Sequence, residues 1–149
     1  VRLMIQKVES EAIPDERSIW LVRQLVERGV FTALASSSPR VLVAKLLDVL
    51  HLSGSFVSVV TGDDVTKSKP DPMIYLRVAE TIGLQPRACV VIEDSPVGII
   101  AAHAAGMSSV LLINANTPPL EWIECKRCLA LTNDLRNLDM FALLDRASP

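Results

Sequence analysis

Short, mostly apolar runs alternate along this chain with longer runs in which apolar residues recur at helical spacing. Phe31–Ala35, Phe56–Val60, Cys89–Ile92 and Val110–Ile113 place apolar residues at nearly every position, the pattern of strands buried on both faces. Cys128–Leu131 predicts a fifth strand from a weaker signal. Between them the pattern predicts helices over Glu16–Arg28, Arg40–Leu50, Met73–Ile82 and Val97–Ala105. In the first, Ile19, Val22, Leu25 and Val26 share one face, and Gly29 follows as a C-terminal cap. Strands alternating in this way with helices predict an α/β fold, a three-layer Rossmann-like parallel sheet.

Three helix starts look alike. Ser38-Pro39, Asp71-Pro72 and Ser95-Pro96 each set a capping side chain before a proline, whose fixed φ suits the first helical turn. The starts at Ser38 and Ser95 follow strands directly. Two helix N-termini therefore open at the carboxyl edge of the sheet, where such folds bind ligands and where anions are favoured.

Composition narrows the class. The 149 residues are half apolar, and 15 Lys plus Arg stand against 17 Asp plus Glu, for a net charge of −2. With no long basic run and only 4% aromatic residues, the chain lacks the charge and the stacking platforms of a nucleic-acid binder. Ser95 to Leu120 contains no charged residue, but Pro96, Gly98, His103, Gly106, Asn114, Pro118 and Pro119 interrupt it. It reads as a buried helix and strand, not a membrane span. Three cysteines do not make a disulfide framework and fit a reducing cytoplasm. Cys125 and Cys128 form a single C-x-x-C pair, a poor zinc site without a second pair. Cys89, His51, His103, Trp20 and Trp122 read as packing or surface residues.

Three places could carry chemistry. Ser36, Ser37 and Ser38 close a buried strand and open a helix, so their hydroxyls and backbone N–H groups suit a phosphate; a turn rich in capping residues reads the same way. Lys69, in Lys69-Pro70-Asp71-Pro72, sits on a rigid loop near the same edge, with Lys67 competing for any role. Glu93 and Asp94 end the most strand-like run. Two adjacent carboxylates there repel each other and need a cation or hydrogen-bond donors; hard oxygens of this kind suit Mg²⁺.

Taken in order, Ala33-Leu34-Ala35-Ser36-Ser37-Ser38, Lys69-Pro70-Asp71-Pro72 and Val91-Ile92-Glu93-Asp94-Ser95-Pro96-Val97-Gly98 closely resemble the second, third and fourth motifs of the haloacid dehalogenase-like hydrolases. The likeness runs from about Pro14 to Asn114 and is nearest to the branch of β-phosphoglucomutase and sugar-phosphate phosphatases. In that family an aspartate nucleophile attacks a phosphoryl group while Mg²⁺ shields its charge. The resemblance implies that Ser36 hydrogen-bonds the phosphoryl oxygens, with Ser37 and Ser38 at the same phosphate. It implies that Lys69 neutralises charge, and that Asp94 binds Mg²⁺ with Glu93 assisting. The implied ligand is a small phosphorylated metabolite, with no nucleic-acid or membrane partner.

The chain departs from the family in its first motif. No Asp-x-Asp occurs anywhere in the 149 residues, and Ser36 stands too early in the chain for that motif and a cap domain to precede it. The resemblance thus predicts a family core truncated at its N-terminus and inactive alone: residues 1–13 a remnant of the helical cap, 14–149 the core without its first strand. A non-catalytic phosphate-binding or regulatory protein, and a truncated gene product, are the alternatives. In the family the missing strand lies at the centre of the sheet, between the strands ending at Ser36 and at Glu93. Those two strands are therefore expected either to pair directly or to receive a strand from another chain, as in a strand-exchanged homodimer.

Overall fold

The computed structural model describes residues 15–113 and 127–147. The predicted cap remnant, Cys125 and Trp122 lie outside them. Among the described residues are five strands in parallel ladders: β1 (Ala33–Ala35), β2 (Ser58–Val60), β3 (Val90–Glu93), β4 (Ser108–Leu112) and β5 (Cys128–Thr132). Also among the described residues are five α-helices: α1 (Glu16–Glu27), α2 (Arg40–Val49), α3 (Met73–Ile82), α4 (Pro96–Ala104) and α5 (Met140–Ala147).

The period of two along each strand sorts its side chains between two helical layers. In β1, Ala33 and Ala35 pack with Tyr75 and Val78 of α3, whereas Leu34 joins Ile19 of α1 and Val43 and Leu47 of α2. In β3, Val91 meets Ala101 and Ala102 of α4, whereas Val90 and Ile92 meet Leu21 and Leu25 of α1 and Leu143 of α5. Helices α3 and α4 thus cover one face and α1, α2 and α5 the other, the three-layer arrangement that the alternation predicts. No helix among the described residues is long and apolar enough to cross a membrane.

Helix limits agree with the pattern to within a residue: α3 is Met73–Ile82 as predicted, and Gly29 takes a left-handed φ of 72° after α1. Strand limits agree less well. β1 begins only at Ala33, because Phe31 is 63% exposed and its apolar character marks no core position.

Two of the three capping predictions need correction. Only Ser95 caps as expected, its Oγ accepting from Gly98 N–H at 3.2 Å. Pro39, not Ser38, occupies the cap position of α2 and makes no side-chain hydrogen bond there. Pro72 caps α3, while Asp71 Oδ1 accepts from Met73 N–H at 3.0 Å. In both cases the proline sits one position earlier relative to the helix than an N1 proline would.

The sheet is divided. Among the described residues β1 pairs only with β2, and β3 only with β4, giving a two-stranded and a three-stranded piece. The direct pairing of Thr32–Ala35 with Val90–Ile92 does not occur. Each strand is held by its own neighbours, β1 by β2 and α3, and β3 by β4 and α4, and a groove of about 430 Å³ lies between the two edges.

Candidate active site

The two candidate centres stand at the ends of β1 and β3. Ala35 and Glu93, the last residues of those strands, both line the groove that separates them.

On the β3 side, Glu93 gathers three donors. Lys69 Nζ and Tyr75 OH, the latter at 2.5 Å, both donate to Oε1, and Ser95 Oγ donates to Oε2 at 2.9 Å. Lys69 Nζ also lies 5.0 Å from the centroid of the Tyr75 ring, within cation–π range. The pair is buried, with 12% of the Lys69 side chain and 9% of the Glu93 side chain exposed. Burial works to raise the Glu93 pKa, but the hydrogen bonds from Lys69, Tyr75 and Ser95 outweigh it and hold the carboxyl below its ordinary value. Burial, then the Glu93 charge, push the Tyr75 hydroxyl upward, so it remains a donor. Lys67 plays no part: it is exposed and lies 3.7 Å from Asp71.

The acidic pair therefore divides. Glu93 turns to Lys69, meeting by internal donors the need its burial creates, while Asp94 is exposed. Gly98, in the first turn of α4, makes room for this arrangement, since a Cβ placed there would overlap the Glu93 carboxylate. Asp94 offers a hard oxygen of the kind Mg²⁺ takes, whereas the Glu93 oxygens already accept from three donors. Among the described residues no three His, Cys, Asp or Glu side chains come together as a metal site.

On the β1 side, the serine loop is fixed by its backbone. Ser36 N–H donates to Val60 C=O at 3.0 Å, Ser38 N–H to Ser36 Oγ at 3.2 Å, and Gly62 N–H to Ser38 C=O at 3.1 Å. Gly62 approaches so closely that a Cβ would sit 2.5 Å from Ser37 C=O. Behind it, the fully buried Thr61 forms a capping box with Asp64, whose Oδ2 accepts from Thr61 N–H at 2.7 Å and from Thr61 Oγ1 at 2.8 Å. Asp63 Oδ2 accepts from Arg40 N–H at 2.8 Å. The first N–H of α2 is thus already engaged.

Tyr75, Gly62 and Gly98 escape the sequence reading. A lone tyrosine on a helix looks like core, and its role depends on α3 and β3 meeting in space. Thr61-x-x-Asp64 did carry a local signal, the spacing of a capping box. Elsewhere, Cys128 Sγ lies 3.4 Å from Ser109 Oγ, which lies 2.9 Å from His103 Nε2. His51 follows α2 with a φ of 55°, and Trp20 is 41% exposed.

Two expectations follow. Tyr75→Phe keeps the ring under Lys69 but removes a hydrogen bond to a buried carboxylate; it should cost about 2 kcal/mol in urea unfolding and raise the Glu93 pKa seen by NMR. Gly62→Ala meets backbone, not a movable side chain, so it should shift the Ser37 and Ser38 amide resonances and lower stability by roughly 1–3 kcal/mol.

Comparison with known proteins places this arrangement. The family model of the haloacid dehalogenase-like hydrolases matches residues 3–106. Putative phosphatase YhcW of Bacillus subtilis is 40% identical over 117 residues, 78% of this chain and 52% of that protein. Hexitol phosphatase B of Escherichia coli K12 is 38% identical over 86 residues, 58% of this chain and 39% of the relative. The crystal structure of a putative β-phosphoglucomutase from Thermotoga maritima superposes with a TM-score of 0.74 at 30% identity, over 88% of this chain and 60% of that one. The chain thus spans at most about half the length of these two curated relatives. On these matches the chain belongs to the haloacid dehalogenase-like hydrolase family, on the side of its sugar-phosphate phosphatases and β-phosphoglucomutases.

Proposed function

We propose that this chain forms the phosphate-binding half of an intracellular phosphatase or phosphomutase site for small phosphate monoesters such as sugar phosphates. The observation that carries the reading is Lys69, a buried lysine held on Glu93 and on the Tyr75 ring at the end of β3, while Ser36 follows Ala35, which lines the same groove as Glu93. Catalysis of phosphoryl transfer rests on positioning and on countering oxygen charge. Ser36 Oγ–H donates to a phosphoryl oxygen, Ser37 and Ser38 contribute to the same phosphate, and the Lys69 ammonium offsets its charge. Glu93 and Tyr75 fix where that ammonium stands. Asp94 would hold Mg²⁺ with Glu93 assisting from behind, and the ion would add further positive charge at the phosphate. A hexitol or hexose phosphate is the substrate class that the names of the relatives suggest.

The nucleophile is not among these residues, since no Asp-x-Asp occurs in the chain. Alone, the chain should hydrolyse p-nitrophenyl phosphate with added Mg²⁺ no faster than its Asp94→Ala variant. Mg²⁺-dependent turnover that vanishes in Asp94→Ala would overturn this part of the reading, because another residue would then serve as nucleophile.

A further inference from the structure

Along β4 the period of two sets Ser109 and Leu111 on one face, where Leu111 packs with Ile99 of α4, Ile113 and Cys128. Ser109 brings a fully buried hydroxyl to this apolar cluster. It is the register partner of Cys128, the first residue of β5. Two hydrogen bonds fix that pairing: Ser109 N–H donates to Arg127 C=O at 3.0 Å, and Arg127 Nη1 donates to Gly106 C=O at 3.2 Å.

The Ser109 hydroxyl joins two side chains that carry chemistry, His103 Nε2 at 2.9 Å and Cys128 Sγ at 3.4 Å. A hydroxyl has one proton, so the relay runs in one of two directions. In one, the Cys128 thiol donates to Ser109 Oγ and Ser109 donates to His103 Nε2. In the other, His103 Nε2–H donates to Ser109, which donates to sulfur, and a thiolate accepts that bond far better than a thiol. Shifting both protons along the relay therefore turns a thiol and an imidazole into a thiolate and an imidazolium. Position favours the shift, because His103 lies in the last turn of α4, where the helix dipole stabilises a cation. Cys128, at the outer end of the relay, is only partly buried.

We propose that Cys128 is a thiol–disulfide exchange site for a small disulfide, with Ser109 and His103 carrying off the thiol proton. The Cys128 sulfur attacks one sulfur of the disulfide; a new S–S bond forms, the old one breaks, and the other half leaves as a thiolate that solvent protonates. As this happens the Cys128 proton passes to Ser109 Oγ and the Ser109 proton to His103 Nε2, which later returns one to solvent. A thiol and a disulfide thus become a mixed disulfide and a thiol, the Cys128 sulfur being oxidised as the departing sulfur is reduced. The site lies at the opposite edge of the sheet from Ser36 and Glu93, and it does not depend on the phosphate reading.

The test uses the full 149-residue chain carrying Cys89→Ser and Cys125→Ser, so that Cys128 alone reports. The probe is dithiodipyridine, an aromatic disulfide whose released thiol is followed by absorbance. A synthetic peptide of residues 127–132 gives the rate of the same thiol without the relay. Partial burial by itself makes a thiol slower in the folded chain than in the peptide; the relay predicts the reverse, about tenfold faster at neutral pH. Ser109→Ala and His103→Gln should each bring the rate to the peptide's or below it, with circular dichroism unchanged. His103 is only partly buried, so its variant decides the matter if Ser109→Ala fails to fold. A folded chain no faster than the peptide, or the parent's rate kept in either folded variant, would overturn the proposal.

Discussion

Lys69→Met should be among the most damaging single changes in the molecule, lowering stability by about 3–5 kcal/mol, because it strands a buried carboxylate. Glu93 would keep Tyr75 and Ser95 as donors but lose the Lys69 ammonium. The loss is specific to the pairing: in Lys69→Met combined with Glu93→Gln most of the stability should return, since no charge is left unpaired. The pH dependence separates the variants more sharply. In the parent the Glu93 pKa is depressed below 4.5, so its contribution is complete above the unfolded value and is lost as pH falls through the lower folded value. In Lys69→Met burial meets weaker opposition and raises that pKa, so protonation then relieves the folded state. Between about pH 6 and 4 the parent should lose stability or stay level, whereas the variant should gain it. Denaturant titrations across that range are the check; parallel curves would show that Lys69 does not govern Glu93.

The second large effect is at Gly98. In a helix, alanine normally gains about 1 kcal/mol over glycine. Here Gly98→Ala should instead destabilise by roughly 2–4 kcal/mol, because its Cβ would occupy the place of the Glu93 carboxylate and break the bonds to Lys69, Tyr75 and Ser95. The proof lies in the background. Once Glu93→Ala has removed the obstacle, Gly98→Ala should be neutral or stabilising, recovering the helix propensity of alanine. A Gly98→Ala penalty that persists there would place the conflict elsewhere.

How far these relationships could be read in advance depends on their range along the chain. Met73–Ile82 carries its apolar period within one helix and starts beside a proline, so its limits are legible. α5 gives no comparable signal: two turns around Phe141, Leu143 and Leu144 are too short to show a period. Ser38 and Asp71 have the residue types of caps, but the prolines after them take the cap positions, which depends on backbone angles that composition does not encode. For the candidate site, Ser36 and Glu93 stand at the ends of β1 and β3 and Lys69 on the loop before α3. That Lys69 and not Lys67 is buried, and that Tyr75 completes the pair, emerges only when Tyr75 of α3 meets Glu93 of β3 in space. The divided sheet shows the reverse case. A gap at its centre can be anticipated from the resemblance, but direct closure does not occur: β1 ladders with β2 and β3 with β4, although Ala33, Ala35 and Val91 pack into one cluster.

Phosphate affinity tests the central claim most directly. Calorimetry with inorganic phosphate should show weak binding to the chain, reduced about tenfold or more in Ser36→Ala, the equivalent of one hydrogen bond to a charged group. The variant should retain the parent's circular dichroism, since among the described residues Ser36 Oγ bonds its own loop, at Ser38 N–H. Equal affinity in parent and variant, or no heat with either, would contradict the assignment of this strand end as a phosphate site.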